Sequence, residues 1–365
     1  KYRCLGLSIG SKERYSEFNN PLLSSGGLTF SGNARPIPQV RIGIPEYTVI
    51  PGTKGWLAFK GHIAYGMFTD DGWQKDFVAP GNKYTEHVLY HSKDLYVKVG
   101  NREKFPLIFE GGLEMAAQFG GNAFIGNEKI DMPNGLKDFF KVFIPSGGSS
   151  ETPMGEQTNI YGNHLGSWNF SLTWYAPQDW MVRLYYEHYF EDHSQMFGEY
   201  GWKDCLAGIE ITFPKNPIIS SFVYEYISTK DQTGPVYWDH TPEIPEQVSG
   251  ADNYYNNSQY AGWEHWGQGI GNPLVTSPIY NKDGNLAFES NRVKGFHIGL
   301  NGSPTPEIDY RILVSVAKHW GTYGSPYRNI RRNQNGLLEV TYKPEQIRGW
   351  SFTLAGAVDG GNMLG

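Results

Sequence analysis

The chain has 365 residues, a net charge of −6 and a mean hydropathy of −0.47. Charged residues make up 19%, below the roughly 25% that is usual in soluble proteins, whereas aromatic residues reach 15%. No window approaches the ~18 apolar residues of a transmembrane helix, which argues against a helical membrane protein. The acidic balance argues against a nucleic-acid partner.

Segments of alternating apolar and polar residues recur along the chain and predict thirteen β-strands. Most have about the 9–11 residues that a tilted strand needs to cross the hydrocarbon core of a bilayer. In chain order, the predicted strands are 2–10, 38–49, 55–68, 86–99, 105–119, 163–175, 180–190, 204–213, 218–229, 291–301, 308–320, 335–343 and 349–359.

The alternation leaves two classes of all-β fold to be weighed. In 163–175, Phe170 and Leu172 share one face, whereas Asn169 and Ser171 share the other. A soluble β-sandwich would turn the apolar face inward, and a membrane barrel would turn it outward to lipid. Large aromatic residues favour the barrel, because they lie near strand ends, where the interfacial girdles of membrane barrels are found. They are Trp168, Trp174, Trp180, Tyr310, Trp320, Tyr342 and Trp350.

Short turns marked by Pro, Gly and Lys join six pairs of strands, and longer irregular segments separate the pairs. The clearest turn is Pro214-Lys215-Asn216-Pro217, between strands 204–213 and 218–229. Short turns at one end and long loops at the other are typical of outer-membrane barrels. We therefore predict an all-β fold, an antiparallel transmembrane β-barrel with short periplasmic turns and long extracellular loops.

The strand count predicts that this chain does not complete the barrel. If the short turns are periplasmic, the first and last predicted strands both run outward, whereas bacterial barrels normally have an even number of strands. At least one strand is then expected after residue 359, and more before residue 1. Residues 1–365 are expected to form a single barrel domain that is incomplete at both ends.

The long segments between strand pairs are expected to face the cell exterior. One of them contains a predicted helix, because Leu136, Phe139, Phe140 and Phe143 follow the spacing of one helical face. Pro145 is expected to end this helix. The long segments are 11–37, 69–85, 120–162, 191–203, 230–290 and 321–334.

The predicted inner face of the barrel carries charges of both signs. A selective pore would more often show one dominant sign along its path. Mixed signs favour internal ion pairs that fill a closed lumen, since buried charges need partners, although a conducting pathway remains the alternative. The candidate lumen-filling residues are Arg41, Lys60, Glu110, Glu114, Arg183, Glu187, Glu210 and Arg311.

Two long segments carry candidate ligand-binding residues. Aromatic rings in 230–290 can stack on the C–H faces of sugars, or they can pack against one another within the loops. Arginines in 321–334 can bind carboxylate or phosphate in bidentate fashion, or form a solvated basic turn. The candidates are Trp238, Tyr254, Tyr255, Trp263, Trp266, Arg328, Arg331 and Arg332.

The sequence gives no support for an enzyme. No spacing singles out a nucleophile with its base, and no His-Glu-x-x-His motif occurs. We therefore expect no catalytic residues, no metal site and no cofactor.

Three stretches resemble the Wzi family of capsule-assembly outer-membrane proteins, in the form found in Bacteroides-like bacteria. They are Gly26 to Val40, continuing to the stretch Gly55 to His62; Lys104 to Met115; and Gly269 to Leu274.

The resemblance implies a plugged outer-membrane barrel of eighteen strands with an N-terminal periplasmic helical part, which is absent here. On that count, four strands are missing before the chain and one after it. The resemblance also implies a non-enzymatic role in attaching or organising capsular polysaccharide at the cell surface. Outer-membrane lipids, lipopolysaccharide and capsular polysaccharide are the expected partners, and the protein is expected to be a monomer. The alternative function is a porin or transport channel for sugars or other nutrients.

Overall fold

A computed structural model describes residues 3–143, 162–191, 196, 202–216, 218–237 and 248–363. In these ranges antiparallel strands predominate. In chain order, the elements are β1 (Gly6–Gly10), β2 (Gln39–Val49), β3 (Leu57–Met67), α1 (Trp73–Phe77), β4 (Tyr84–Glu86), β5 (Leu89–Val99), β6 (Leu107–Phe119), β7 (Gly121–Ile125), β8 (Glu128–Met132), α2 (Leu136–Phe143), β9 (Asn163–Tyr175), β10 (Met181–Phe190), β11 (Cys205–Thr212), β12 (Ser221–Ser228), β13 (Thr233–Tyr237), β14 (Val248–Ala251), β15 (Glu264–His265), β16 (Gln268–Gly269), β17 (Val293–Thr305), β18 (Ile308–Gly321), β19 (Pro326–Tyr342) and β20 (Phe352–Gly361).

One sheet of thirteen strands dominates the described ranges, in the order β1-β2-β3-β5-β6-β9-β10-β11-β12-β17-β18-β19-β20. Each strand pairs antiparallel with the next. Each of the thirteen predicted strands overlaps one strand of this sheet, in the predicted order. The sheet is open, with β1 and β20 at its two edges. Six short connections lie at one end, here called the turn end, and the long connections lie at the other, the loop end, together with the four-residue connection of β18 to β19.

The large sheet exposes apolar side chains on one face and buries polar side chains on the other. Leu95 and Leu184 are 56% and 50% exposed, whereas Ser167 and Glu225 are 0% exposed. In water the apolar face would be the buried one, because removing apolar surface from water drives burial. Apolar residues outside and polar residues inside are the pattern of a membrane barrel wall. This pattern contradicts the β-sandwich alternative.

Residues 11–37, here called the plug segment, lie on the polar side of the sheet. Arg14 of this segment donates a hydrogen bond to Ser8 of β1 at 3.3 Å, and Arg311 of β18 donates one to the Leu22 carbonyl at 3.2 Å. A short segment can contact both β1 and β18 only if the sheet curves around it. The prediction that 11–37 faces the cell exterior is therefore wrong, because its polar groups find partners inside the curve.

A glycine of β17 allows the plug segment to approach closely. A Cβ atom at Gly299 would collide with the backbone carbonyl of Leu23. The neighbouring His297 donates from Nε2 to the same carbonyl at 2.8 Å. Since backbone cannot yield as a flexible side chain can, this position requires glycine.

Strand β19 corrects the predicted loop 321–334. It begins at Pro326, whereas the sequence pattern predicted a strand only from residue 335, and it pairs with β18 as far as Gly321. Arg328, Arg331 and Arg332 are therefore strand residues. The pattern failed here because the start of β19 is polar on both faces, and a strand that extends beyond the apolar band needs no apolar face to pair with its neighbour.

The predicted helix is confirmed as α2. Phe139 packs at the inner side of this helix, with ring centroids 5.1 Å from Phe119 and 5.2 Å from Tyr65. Leu136 and Phe140 are 84% and 76% exposed. Within the described ranges, neither helix is long and apolar enough to cross a bilayer.

Candidate functional site

The buried carboxylate of Glu187, on β10, holds the plug segment by its backbone. It accepts a hydrogen bond from the backbone N–H of Leu28 at 2.8 Å and another from Thr29 at 3.0 Å. Hydrogen bonds to an ionised acceptor are roughly twice as strong as neutral ones. Two N–H groups that no regular strand or helix pairs thereby gain an acceptor, and the buried carboxylate gains two donors.

The next two strands repeat this arrangement. Glu225 of β12 accepts a hydrogen bond from the backbone N–H of Ser25 at 2.7 Å, and Glu210 of β11 accepts one from the side-chain amide of Asn20 at 2.8 Å. Arg183 of β10 lies 3.1 Å from Glu210 and forms an ion pair with it. Three neighbouring strands therefore present carboxylates to one continuous stretch of the plug segment.

The other predicted lumen residues also lie on the inner face, and each has a polar partner. Lys60 forms an ion pair with Glu17 of the plug segment. The remaining contacts are Arg41 to Asp94 at 3.7 Å, Ser171 to Glu110 at 3.1 Å, Ser16 to Glu114 at 3.5 Å and Arg311 to Glu339 at 3.0 Å. Charges of opposite sign and polar groups thus pair inside the curve of the sheet, which supports the filled-lumen interpretation.

Residues 252–291, here called the inner loop, pack on the plug segment. The indole N–H of Trp263 donates to the Thr29 carbonyl at 2.9 Å, and the backbone N–H of Ser31 donates to the Ile270 carbonyl at 3.0 Å. The Tyr255 hydroxyl donates to the Leu28 carbonyl at 2.5 Å. The two segments therefore form one layered plug inside the sheet.

The candidate aromatic residues of the inner loop differ in how far their side chains are buried. Tyr254, Tyr255 and Trp263 are at most 1% exposed, so in this structure they pack within the plug, as the alternative interpretation of these residues proposed. Trp266 is partly exposed, and the guanidinium of Arg35 lies 4.1 Å from its ring centroid. Trp238 lies outside the described residues. Of the described aromatic candidates, only Trp266 keeps an accessible face.

The three candidate arginines do not all lie on one face of β19. Arg331 lies on the inner face of β19, with its guanidinium 4.1 Å from the ring centroid of Tyr327. Arg328 and Arg332 are exposed. The three residues therefore do not form one anion-binding fork.

A cavity of about 530 Å³ opens at the loop end, between the inner loop and the connection of β18 to β19. We call it the loop-end cavity. Its walls carry side-chain amides, hydroxyls, one amine and two carboxylates beside the partly exposed Ala287 and Tyr327. The lining residues are Lys83, Asn253, Asn256, Asn257, Ala261, Asp283, Asn285, Leu286, Ala287, Phe288, Glu289, Thr322, Ser325 and Tyr327.

Hydrogen bonds fix the shape of this cavity. The side chain of Asn256 donates to the Phe288 carbonyl at 3.0 Å and accepts from the Phe288 N–H at 2.8 Å. Lys83 donates to the Asn257 carbonyl, and burial lowers the pKa of its ammonium group to about 8. A preformed cavity with several donors and acceptors and one apolar wall suits a polyhydroxylated ligand.

Sequence reasoning missed the asparagines because it followed the aromatic residues. Asn253, Asn256 and Asn257 flank the tyrosine pair Tyr254-Tyr255. The tyrosines are buried and the asparagines line the cavity. These three closely spaced asparagines are the sequence feature that could have indicated the cavity. In the described part of the chain, no group of three or more His, Cys, Asp or Glu side chains could hold a metal ion.

An apolar outer face, a polar inner face and a segment held inside by inner carboxylates are the pattern of a β-barrel wall around a filled lumen. The family model of capsule assembly protein Wzi matches residues 24–275, and the chain belongs to this family. The match covers residues 24–37 of the plug segment and the inner loop up to Val275.

A solved structure shares the fold with a TM-score of 0.57 at 11% identity, over 99% of this chain and 65% of the other. That structure is described as Wzi, an outer-membrane protein involved in group 1 capsule assembly in Escherichia coli and a carbohydrate-binding β-barrel. This chain therefore spans 65% of the length of that protein. Comparison with curated protein sequences finds none that matches.

The carboxylate that anchors the plug can be tested with Glu187→Gln. The substitution removes the charge and turns an amide N–H₂ toward the N–H groups of Leu28 or Thr29. We expect a loss of about 2 kcal/mol in the free energy of unfolding. The measurement is urea unfolding in detergent micelles, followed by tryptophan fluorescence. Glu103→Gln, in an exposed turn, is the matched control, and equal midpoints for the two variants would contradict the anchoring role.

Proposed function

We propose that this protein is a non-enzymatic outer-membrane barrel of capsule assembly that binds or organises capsular polysaccharide at the cell surface. The thirteen-stranded sheet is then part of a closed wall of about eighteen strands. Its loop end faces the exterior, and its turn end faces the periplasm.

The observation that carries this proposal is the loop-end cavity above a filled lumen. A sugar chain presents hydroxyls, which match the amide and hydroxyl groups of the cavity, and C–H faces, which match the apolar surface of Ala287 and the ring of Tyr327. The solved structure of Wzi from Escherichia coli is described as a carbohydrate-binding β-barrel, which agrees with this chemistry.

The filled lumen argues against the transport alternative. The plug segment is joined to the sheet by hydrogen bonds from the backbone N–H groups of Leu28 and Thr29 to the Glu187 carboxylate. It is joined to the inner loop by the backbone hydrogen bond from Ser31 to Ile270. A transported solute would have to displace these bonds.

The cavity assignment predicts that a bulky side chain in the cavity weakens polysaccharide binding. Ala287 lines the cavity, and Ala287→Trp would fill it. Lys282→Trp, at an exposed position outside the lining, is the matched control. Titration of purified capsular polysaccharide onto the protein in micelles should show binding for wild type and Lys282→Trp and at least about tenfold weaker binding for Ala287→Trp. Full affinity in Ala287→Trp would remove this cavity from the proposal.

Deletion of the gene tests the cellular role. Cells without the protein should release capsular polysaccharide into the medium while total synthesis stays unchanged, because the surface that retains the polymer is gone. Cell-bound and released polysaccharide are measured separately. An unchanged cell-bound fraction would exclude the proposed role.

Conductance separates the proposal from the transport alternative. The protein inserted in planar bilayers should show no steady open pore of nanosiemens order, since the plug occupies the lumen. A steady pore in the wild type would favour transport instead.

A further inference from the structure

Three cations form a row on the outward face of the sheet, near its loop end. In the strand register Lys294 of β17 lies opposite Lys318 of β18, and Lys318 lies opposite Arg332 of β19. Alternation places all three on the same face as exposed Phe296 and Val316. Neighbouring strands are about 5 Å apart, so the row spans about 10 Å.

The described residues supply this row with no ion-pair partner. No salt bridge joins Lys294, Lys318 or Arg332 to an acidic side chain in the part of the chain that the structure describes. On the β12 side, Lys294 lies opposite Ser228, a neutral residue. Like charges directly opposite on neighbouring strands are destabilising. An anion outside the protein would relieve this repulsion.

Below Lys294 and Lys318 the outward surface of β17 and β18 is apolar. Two residues further from the loop end, Phe296 and Val316 are 45% and 42% exposed, followed by Ile298 and Val314 at 40% and 44%. Two residues along a strand span about 7 Å. Lys294 and Lys318 therefore lie directly beside an exposed apolar surface that lipid acyl chains would cover.

Aromatic and basic residues continue the same boundary toward the loop end. Trp320 follows Lys318 by two residues on β18, and the ammonium of Lys230 lies 5.2 Å from its ring centroid. Tryptophan at the boundary between apolar and polar surface is typical of a membrane interface. The row therefore lies at headgroup level rather than in the aqueous loops.

We propose that Lys294, Lys318 and Arg332 form a docking site for the phosphate groups of a lipopolysaccharide, whose acyl chains cover the apolar surface below. The site rests on the proposed outer-membrane placement with the loop end outside. It lies on the outward face, whereas the polysaccharide cavity lies inside the curve of the sheet. The protein thus holds a membrane lipid on its wall and a polymer at its mouth through separate surfaces.

The test compares lipid A binding to the full chain in detergent micelles, by titration with native mass spectrometry. The triple variant Lys294→Gln, Lys318→Gln, Arg332→Gln should bind on the order of a hundredfold more weakly than wild type. The matched control removes three exposed lysines at the turn end, by Lys54→Gln, Lys104→Gln and Lys215→Gln, and should bind as wild type does. The single variant Lys318→Gln should show an intermediate loss, which provides a second measurement if the triple variant folds poorly.

Two further ligands identify the chemistry. Dephosphorylated lipid A should bind wild type as weakly as lipid A binds the triple variant. Phosphatidylglycerol should compete poorly. Equal lipid A affinity in the triple variant and the control, or equal competition by phosphatidylglycerol, would overturn the proposed lipopolysaccharide site.

Polysaccharide titration of the same triple variant distinguishes this inference from the proposed function. Retained polysaccharide binding with weakened lipid A binding supports two separate surfaces. Loss of both ligands would overturn the separation. Unchanged lipid A binding beside intact polysaccharide binding would overturn the lipid site alone.

Discussion

The need of buried carboxylates for hydrogen-bond donors organises this molecule. Glu187 and Glu225 lie on the inner face of the sheet at no more than 2% exposure, and the plug segment supplies donors to both. An irregular segment inside a protein has the complementary problem, since its N–H groups lack a regular ladder. Wall and plug therefore satisfy each other, and removing either leaves unpaired polar groups that cost free energy.

Because the polar groups inside the sheet are already paired with the plug, the surfaces that can bind ligands lie at the loop end and on the outer face. Large aromatic rings of the inner loop, such as Trp263, pack within the plug, and amides such as Asn257 line the loop-end cavity. The sheet contributes to the same cavity through the connection of β18 to β19 and through Tyr327. Inner and outer faces thus carry different chemistry on the same strands. The inner face has polar anchoring groups, and the outer face has apolar residues with the basic row of Lys294, Lys318 and Arg332 near the loop end.

The strands could be predicted from the sequence because their signal is local. Alternation within 163–175 depends on neighbouring residues, and β9 has the same bounds. The plug could not be predicted in this way, since Leu28 and Glu187 are 159 positions apart and nothing in either neighbourhood points to the other. The start of β19 was missed for a different reason: its residues lack an apolar face, although pairing with β18 continues. Composition alone could not separate rings that pack, such as Tyr254, from rings that remain accessible, such as Trp266.

The close fit at Gly299 has a consequence for the order of folding. The Leu23 carbonyl sits against Gly299 and accepts the hydrogen bond of His297, although the two partners are 274 positions apart in the chain. A segment that contacts strands from β1 to β18 is enclosed on most sides, so threading it through a finished wall would break many hydrogen bonds at once. We expect the wall to assemble around the plug, which makes an early-synthesised segment the template for strands that follow it. Contacts of such long separation pay a large loop-closure entropy and slow folding, so the plug is a kinetic element of the protein as well as an equilibrium one.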